Sequence, residues 1–297
     1  MNNCPVCGHN DFEFVYELND YRISQETFSL SKCLNCTLIS TLAPPKSSDI
    51  SKYYLSDDYL EHSNRKTDLF SIAYIKAREI MFGYKYRIIK KFITNGEILD
   101  IGAGSGHYLN FMSKKGFKCT GIEMSGRARA FAKDTFDIDI YPDDHFYNST
   151  FVQKYDLISL WHVLEHLYDL EKVIKRIDDL LKPKGHLIIA VPNYNGFEQV
   201  VYKKYWSGWD VPRHLWHFSP KSMKQLLAKN NFVVTEMKMM PFDPFFNTLL
   251  SNKYRNGHPI INVFRMILVG GMAFFQGFFN VEKASSIIYI IKRKEIN

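Results

Sequence analysis

The stretch EILDIGAGSG at residues 97–106 decides the fold of this chain. Its apolar first half predicts a short buried strand, which breaks into a glycine-rich turn before a helix that begins near His107. Gly102, Gly104 and Gly106 let the backbone bend sharply and approach a ligand closely, and the helix start offers free N–H groups. A dinucleotide-binding fingerprint would place its third glycine at His107, so the spacing argues against NAD.

Two carboxylates accompany this turn. Glu123 stands at the end of a second strand-like run at 118–122, where it can accept both hydroxyl hydrogens of a ribose. Asp100 precedes the first glycine by two positions, where it can support the turn or meet an ammonium group of a ligand. Both acids therefore fall where a ligand would approach the turn.

These residues, ILDIGAGSGHYL followed by GIEMS, resemble motif I and the acidic strand end of class I S-adenosylmethionine (SAM) methyltransferases. YDLISLWHVLEHL at 155–167 resembles the fourth-strand motif of that family, and LLKPKGHLII at 180–189 resembles its post-motif. The resemblance implies SAM as the cofactor. The residues that match its binding positions are Asp100, Gly102, Gly104, Gly106, Glu123, Trp161 and, at the third strand end, Asp143 or Asp144.

Strand-like and helix-like segments alternate from residue 97 onward. We expect strands at 97–101, 118–122, 137–141, 155–161, 186–191, 232–238 and 286–292. Such alternation predicts an α/β fold, here a Rossmann-like, seven-stranded, mostly parallel sheet with helices on both faces and ligands at the carboxyl ends of its strands. The expected domains are a zinc ribbon at 1–42, a linker and N-terminal helical lid at 43–93, and a SAM-binding domain at 94–297 with an insertion at 241–284.

The N-terminal segment carries two C-x2-C pairs, CPVC at 4–7 and CLNC at 33–36. Four thiolates at this spacing are typical of a structural zinc site, and they leave no open position for catalysis. The run between the pairs alternates apolar and polar residues as strands do. The segment is too short to fold without a stabilising metal ion or disulfide bonds. We therefore predict a zinc ribbon whose ligands are Cys4, Cys7, Cys33 and Cys36.

A long loop after residue 193 contains WSGWDVPRHLWHFSP at 206–220. It resembles the WD-x-PRH-x-x-HFS segment of a bacterial methyltransferase subgroup, in which that segment roofs the acceptor pocket. Tyr59, in a tyrosine-rich stretch of the kind that often folds over the ligand in this family, is a candidate for binding the acceptor. Its alternative role is in an aromatic patch that packs the ribbon onto the core. Arg213 and Trp209 of the loop are further candidates, and Arg213 could grip a phosphate with its fixed donors. An aromatic plug for the sheet end is the alternative. The candidates for a catalytic base are His162, His166, His214 and His217.

The segment from His162 to His166 also matches the H-x-x-E-H signature of zinc proteases. That signature requires a continuous helix and a third ligand downstream. Here a buried strand precedes it, which places His162 near a strand end. The protease interpretation is therefore disfavoured.

The bulk properties constrain location and partners. The net charge of +7 suits an anionic partner without choosing among nucleotide, nucleic acid and membrane surface. No signal peptide pattern is present at the N-terminus, so we expect a cytoplasmic protein. The apolar segment 260–279 is interrupted by Arg265 and Gln276, and we predict that it does not span a membrane. A buried cap, a dimer face and peripheral contact with the inner face of the membrane all remain open for it.

We therefore predict a SAM-dependent methyltransferase that transfers a methyl group to an O, N or C atom of a small acceptor. Similar zinc-ribbon methyltransferases act on nucleotide-linked or other sugars in bacterial pathways, which makes such a sugar the favoured acceptor. The alternatives are a ribosomal or transfer RNA base methyltransferase, a methyltransferase for a lipid-like acceptor, and a binding module without catalysis. Nucleic acid is less favoured, because the ribosomal RNA family with a similar ribbon lacks the EHL and PRH motifs.

Overall fold

The computed structural model of the chain describes residues 3–54, 69–148, 151–255 and 258–295. Within these ranges, eleven strands form two sheets. In chain order, the strands are β1 (Phe12–Asn19), β2 (Thr27–Cys33), β3 (Ile39–Thr41), β4 (Gly96–Ile101), β5 (Phe117–Ile122), β6 (Ile140–Tyr141), β7 (Tyr155–Trp161), β8 (Leu181–Pro192), β9 (Trp216–His217), β10 (Phe232–Met239) and β11 (Ser286–Arg293).

Nine α-helices lie within the same described ranges. They are α1 (Leu69–Ile89), α2 (His107–Ser113), α3 (Gly126–Phe136), α4 (Asp143–Tyr147), α5 (Leu170–Leu180), α6 (Phe197–Tyr202), α7 (Pro220–Lys229), α8 (Asp243–Tyr254) and α9 (Pro259–Phe279). Short 3-10 helices add Ile50–Tyr54, Leu164–His166, Lys203–Tyr205, Ser207–Trp209 and Val281–Lys283. Ser219 caps α7, because its side chain accepts from the Ser222 amide.

The larger sheet has the strand order β10-β11-β8-β7-β4-β5-β6. Strand β4 pairs in parallel with β5 and β7, and β5 pairs in parallel with β6, whereas β10 and β11 are antiparallel. Ile98, Leu99, Leu157 and Ile158 have no solvent exposure, as expected for parallel strands covered on both faces. The α/β class and the seven-stranded, mostly parallel sheet are therefore confirmed.

Strand β6 is shorter than the predicted segment 137–141. Asp137 adopts a left-handed conformation, with φ of 54°, and ends helix α3 by donating from its amide to the Lys133 carbonyl. A residue in that conformation cannot continue an extended strand. Pairing with β5 therefore begins only at Ile140, opposite Gly121.

The chain divides into two compact units. One unit, called here the ribbon unit, comprises residues 1–55, 162–174 and 189–297. The other, called the glycine-turn unit, comprises residues 56–161 and 175–188. This division differs from the linear domain boundaries expected from the sequence, because the segment with four cysteines, residues 162–174 and the chain after residue 189 share one unit.

The smaller sheet belongs to the ribbon unit and has the order β1-β2-β3-β9. Strand β3 pairs antiparallel with β9, so that Ile39 lies opposite His217 and Ser40 opposite Trp216. Residues from the long loop therefore extend the sheet of the N-terminal segment. The two sequence motifs, which are far apart along the chain, form one structural element.

Helix α9 is the most exposed apolar element among the described residues. By length and composition alone, Ile260–Phe279 could cross a membrane, with a mean hydropathy of 1.5 and 22% of an 18-residue stretch of it buried. Its buried side includes Ala273 and a close approach of Gly270 to Phe245. Its large exposed side chains are Ile260, Ile261, Val263, Phe264, Ile267, Leu268, Met272, Phe275, Phe278 and Phe279.

Candidate functional site

The glycine turn follows β4 in the glycine-turn unit. Gly102, Gly104 and Gly106 all have positive φ, with values of 75°, 54° and 75°. Residues other than glycine rarely adopt a positive φ, which explains why glycine occupies all three positions. A Cβ atom at Gly106 would also lie 2.9 Å from Cβ of Ala132 in α3. The turn is therefore tight, and substitution at Gly106 would displace a packed helix.

The Glu123 carboxylate lies against this turn. One of its oxygens accepts from the Gly104 amide at 2.9 Å, and the other accepts from the Ser125 amide at 2.8 Å. An ionised carboxylate offers about four acceptor positions, so two remain for the hydroxyl groups of a ligand. The geometry fixes the carboxylate at the end of β5 and suits it for a ribose, as the sequence predicts.

Asp100 is buried at the end of β4. Its Oδ1 accepts from the Ser159 hydroxyl at 2.6 Å. Burial raises the pKa of Asp100 to about 7, although the Ser159 hydrogen bond and the nearby Lys85 charge oppose this shift. An ammonium group of a ligand would favour the ionised carboxylate here.

Lys85 of α1 is a site residue that the sequence did not reveal. The basic residues of this helix suggest a solvated face, yet Lys85 is buried and its Nζ lies 4.0 Å from the Trp161 ring centre. Trp161 also packs edge-on against Tyr108, with ring centres 5.8 Å apart. The cation and the two rings surround the end of β7. Only the three-dimensional structure identifies Lys85, because the lysines of α1 look alike in sequence.

The remaining cofactor candidates lie in α4. Asp143 and Asp144 are its first two residues, directly after β6, and both are exposed. The structure does not distinguish between them, and either stays a prediction. Tyr59, predicted to bind the acceptor, lies outside the described residues.

In the ribbon unit, His162 and Glu165 begin a cluster of titratable side chains. His162 Nε2 lies 3.0 Å from Asp243 Oδ2, and its Nδ1 lies 3.5 Å from Glu165 Oε1. Burial opposes protonation of His162, but the carboxylates of Asp243 and Glu165 outweigh it and raise its pKa above the ordinary value. His162 is therefore a cation that balances two acids, which argues against its predicted role as a base.

His166 and His214 continue this cluster, and their ring centres are 4.6 Å apart. His166 Nδ1 lies 2.9 Å from the Arg213 carbonyl oxygen, and His214 Nδ1 lies 2.9 Å from the Gly208 carbonyl oxygen. A carbonyl oxygen only accepts, so each Nδ1 is the protonated nitrogen, and in the neutral form of either ring the lone pair is on Nε2. Both residues therefore remain candidates for accepting a proton.

His217 and Trp209 are packed into the interior instead. His217 is 4% exposed, its ring lies edge-on to Trp209 at 5.0 Å, and its Nε2 lies 3.3 Å from Thr41 Oγ1. Burial and the neighbouring His214 lower the pKa of His217 well below its usual range. Trp209 is also fully buried and donates to the Lys203 carbonyl. These surroundings disagree with a base at His217 and an acceptor contact at Trp209.

Arg213 holds the loop to the N-terminal segment. Its Nε and Nη2 form a two-point contact with Asp210 at 3.0 and 2.8 Å, and Nη2 also donates to Asp20 at 2.8 Å. Nη1 donates to the Tyr53 carbonyl at 3.1 Å, and the side chain is 3% exposed. Because these groups occupy its donors, the prediction that Arg213 grips a phosphate of the acceptor does not agree with the structure.

The four cysteines of the N-terminal segment come together in the same unit. Their sulfur atoms lie within 4.8 Å of one another, with Cys4 and Cys36 at 3.4 Å and Cys7 and Cys33 at 3.6 Å. Tetrahedral Zn–S bonds of about 2.3 Å place sulfur atoms about 3.8 Å apart. The cluster therefore fits a zinc ion with only small side-chain adjustments.

The sheet, the left-handed glycine turn and the acid at the end of β5 define a class I SAM-dependent methyltransferase. The chain belongs to the Methyltransf_23 family, described as a methyltransferase domain, whose model matches residues 75–237. That match covers more than half of the chain and includes every predicted SAM-binding residue.

Curated relatives agree with this class. The ubiquinone biosynthesis O-methyltransferase of Bradyrhizobium diazoefficiens is 29% identical over 161 residues, which is 50% of this chain and 62% of that protein. The protein of the same name from Rickettsia felis is 25% identical over 166 residues, covering 52% of this chain and 68% of that protein. This chain thus matches only part of each relative's length.

Solved structures show the same fold. A SAM-dependent methyltransferase from Archaeoglobus fulgidus matches with a TM-score of 0.52 and 18% identity, over 76% of this chain and 100% of that one. The cyclopropane synthase MmaA2 from Mycobacterium tuberculosis matches with a TM-score of 0.50 and 17% identity, over 84% and 99% of the two chains. At these identities, the likeness concerns the fold alone.

Proposed function

We propose that the chain methylates a hydroxyl oxygen of a small acceptor. The observation that carries this proposal is the pair His166 and His214, whose Nδ1 atoms are committed to backbone carbonyls and whose Nε2 atoms keep their lone pairs. A hydroxyl must lose its proton as its oxygen attacks a methyl group, and a neutral imidazole can take it. The relatives named O-methyltransferase support the same chemistry.

The glycine-turn unit holds the cofactor in this proposal. Glu123 accepts the ribose hydroxyls, Asp100 meets the ammonium group, and the turn at Gly102, Gly104 and Gly106 gives the ligand access to the backbone. When bound, SAM supplies an activated methyl group on its sulfonium. Positioning then matters most, because transfer needs the attacking atom about 3 Å from the methyl carbon.

In the ribbon unit, His166 is the preferred base. Burial and the neighbouring His214 lower the pKa of His166 to about 4, so its ring is neutral at physiological pH. The Arg213 carbonyl fixes the tautomer that leaves Nε2 unprotonated. His166→Asn should lower turnover strongly while SAM affinity stays unchanged. His258, which is exposed at the start of α9, offers a matched control as His258→Asn.

For the acceptor, we propose a hydroxyl of a nucleotide-linked or other sugar. The support is the combination of a four-cysteine segment with the WD-x-PRH-x-x-HFS loop, which resembles sugar-modifying methyltransferases. Because Arg213 is committed to Asp20 and Asp210, another residue must bind any phosphate of the acceptor. A lipid-linked hydroxyl is the second candidate, favoured by the names of the relatives and by the exposed apolar side of α9.

Transfer of labelled methyl groups into fractionated cell extract tests the proposal. We expect label from SAM in the water-soluble sugar fraction, and much less label when His166→Asn replaces the wild type. Label in the organic-solvent fraction would favour the lipid-linked hydroxyl. Label in RNA, or in a product whose methyl group resists conditions that cleave methyl ethers, would contradict O-methylation of a small acceptor.

We also propose that α9 rests on a membrane surface without crossing it. Residues 244–281 contain Lys253, Arg255 and Arg265 but no acidic residue, so a positive segment accompanies the apolar side chains. Vesicles with phosphatidylglycerol should bind the protein, vesicles of phosphatidylcholine alone should not, and alkaline wash should release it. Phe264→Gln should weaken binding, whereas Phe14→Gln, at an equally exposed site of β1, should not. A requirement for detergent would contradict this proposal.

A further inference from the structure

We propose that Glu165, His166 and His214 bind a first-row divalent transition-metal ion, at a site separate from the four cysteines. One potential ligand atom from each of these three residues lies within 4.8 Å of the other two. Metal bonds of about 2.0–2.2 Å place neighbouring ligand atoms about 3.0–3.5 Å apart. Small side-chain rotations would therefore complete the coordination.

The histidine tautomers are those of metal ligands. A metal-bound histidine usually donates its other ring N–H to a carbonyl or carboxylate, which fixes the ring and directs the free lone pair. His166 does this through the Arg213 carbonyl and His214 through the Gly208 carbonyl. With Nδ1 of His166 protonated, the Tyr54 hydroxyl oxygen at 3.0 Å accepts from the same N–H group. Two neighbouring histidines that both donate Nδ1–H to a backbone carbonyl would be unusual if their only role were packing.

Glu165 supplies the third observation. Its side chain is 1% exposed, and neither carboxylate oxygen has a hydrogen-bond partner among the described residues. The nearest positive group, His162 Nδ1, is 3.5 Å away and is shared with Asp243 through Nε2. Glu165 therefore has a shared counter-charge at 3.5 Å but no hydrogen bond. A buried carboxylate without hydrogen bonds is costly, and a directly bound cation would remove that cost. The unpartnered oxygens therefore point to a ligand.

The surrounding charges favour a cation as well. Asp210 Oδ2 lies 4.0 Å from His214 Nε2 and adds negative charge, while its hydrogen bonds go to Arg213. Two imidazoles and one carboxylate form the donor set typical of iron, manganese, zinc or cobalt(II) sites that keep open positions. Calcium and magnesium prefer oxygen ligands and are less suited to it.

This inference deepens the proposed function and rests on it for the role of the metal. An ion with open positions could bind the acceptor hydroxyl and lower its pKa, which would make deprotonation easier near neutral pH. In the metal-bound form, the Nε2 atoms of His166 and His214 bind the ion, so water replaces His166 as the group that takes the proton. The loss of turnover in His166→Asn would then reflect the loss of a metal ligand. Metal binding itself requires neither SAM nor acceptor, so it can be tested alone.

Cobalt(II) titration of the zinc-loaded chain tests the site. Cobalt bound by cysteine shows strong sulfur charge-transfer absorption, whereas cobalt bound by histidine and carboxylate shows only visible d–d bands. We expect one equivalent of the second kind. Glu165→Gln and His214→Asn should each weaken it at least about 100-fold, since loss of a hydrogen bond to a ligand already costs about 10- to 100-fold. His258→Asn should bind cobalt as the wild type does.

Circular dichroism and SAM affinity of each variant show that it is folded. A wild-type protein that binds no cobalt beyond the cysteine site would overturn the inference. Unchanged cobalt binding in folded Glu165→Gln or His214→Asn would overturn it equally. If the metal binds as expected but no methyl transfer occurs, the metal site stands and the proposed function fails, so the two outcomes are distinguishable.

Discussion

Replacing Arg213 with alanine should destabilise the ribbon unit severely. The substitution removes the guanidinium that contacts two carboxylates, the fully buried Asp20 at 2.8 Å and the largely buried Asp210 at 2.8 and 3.0 Å. Arg22 lies 3.6 Å from Asp210, on a side chain that is 41% exposed, and compensates only weakly. Asp20 would keep three backbone hydrogen bonds, from Arg22, Ile23 and Ser24, yet remain a buried anion.

The expected loss is about 3–5 kcal/mol, the usual cost of removing one partner from a buried ion pair. Arg213→Lys keeps the charge but cannot reach both carboxylates in a two-point contact, so we expect a smaller loss of about 1–3 kcal/mol. Lys224→Ala is the control, because the Lys224–Glu282 pair has the same type of contact at 2.7 Å but both side chains are about half exposed. That control should cost at most about 1 kcal/mol.

Urea unfolding followed by tryptophan fluorescence measures this effect, because three of the four tryptophans lie in the ribbon unit. Burial would raise the pKa of Asp20 and of Asp210, but Arg213 outweighs it and lowers both. Their contribution is therefore present above about pH 4 and is lost as the pH falls through the lowered values. A loss below about 1 kcal/mol in Arg213→Ala, with an unchanged acid profile, would refute this reasoning.

Three further outcomes are expected. Glu123→Ala should weaken SAM binding by about 1–3 kcal/mol in calorimetry, since it leaves hydrogen-bond partners unpaired, and unchanged affinity in a folded variant would contradict the ribose assignment. Cys36→Ser should remove about one zinc per chain and make residues 3–42 exchange amide hydrogens faster, while SAM still binds. Absence of zinc from the freshly purified wild-type protein would contradict this prediction. Ser159→Ala should weaken SAM binding less than Asp100→Asn does, because it removes only a neutral partner of the carboxylate; a larger effect of Ser159→Ala would count against the assignment of Asp100.

The sequence predicts the sheet and the glycine turn because both depend on local patterns. Continuous apolar runs mark the buried strands, and only glycine suits three positive φ values so close together in the chain. The end of β5 is equally local, so the position of Glu123 follows from the strand before it. Two strands differ from their predicted bounds by more than one residue. Strand β6 begins late because Asp137 takes a left-handed conformation that its residue type permits but does not require. Strand β8 begins at Leu181, five residues before the predicted start at 186.

Long-range partners explain the predictions that fail. Arg213 looks like an anion-binding residue in sequence, but its partner Asp20 lies 193 positions earlier in the chain. Lys85 resembles Lys76, the other lysine of α1, and only the packing of Trp161 and Tyr108 distinguishes it. Side-chain type gives the chemistry that a residue can perform. The residues that contact it in the folded chain decide which part of that chemistry is used, and distant contacts of this kind are not evident from the sequence.

The four-cysteine segment also holds the backbone around His166 and His214. Thr41 at the end of β3 donates its hydroxyl to the His214 carbonyl at 2.7 Å, and Asp20 after β1 binds Arg213, whose own carbonyl fixes the His166 tautomer. The backbone on which both histidines depend is thus held by residues of the N-terminal segment. A zinc ion that orders β1–β3 would therefore also order the proposed acceptor site, whereas the hydrogen bonds of Glu123 and Asp100 come from within the glycine-turn unit. Loss of zinc should accordingly lower methyl transfer more than SAM affinity.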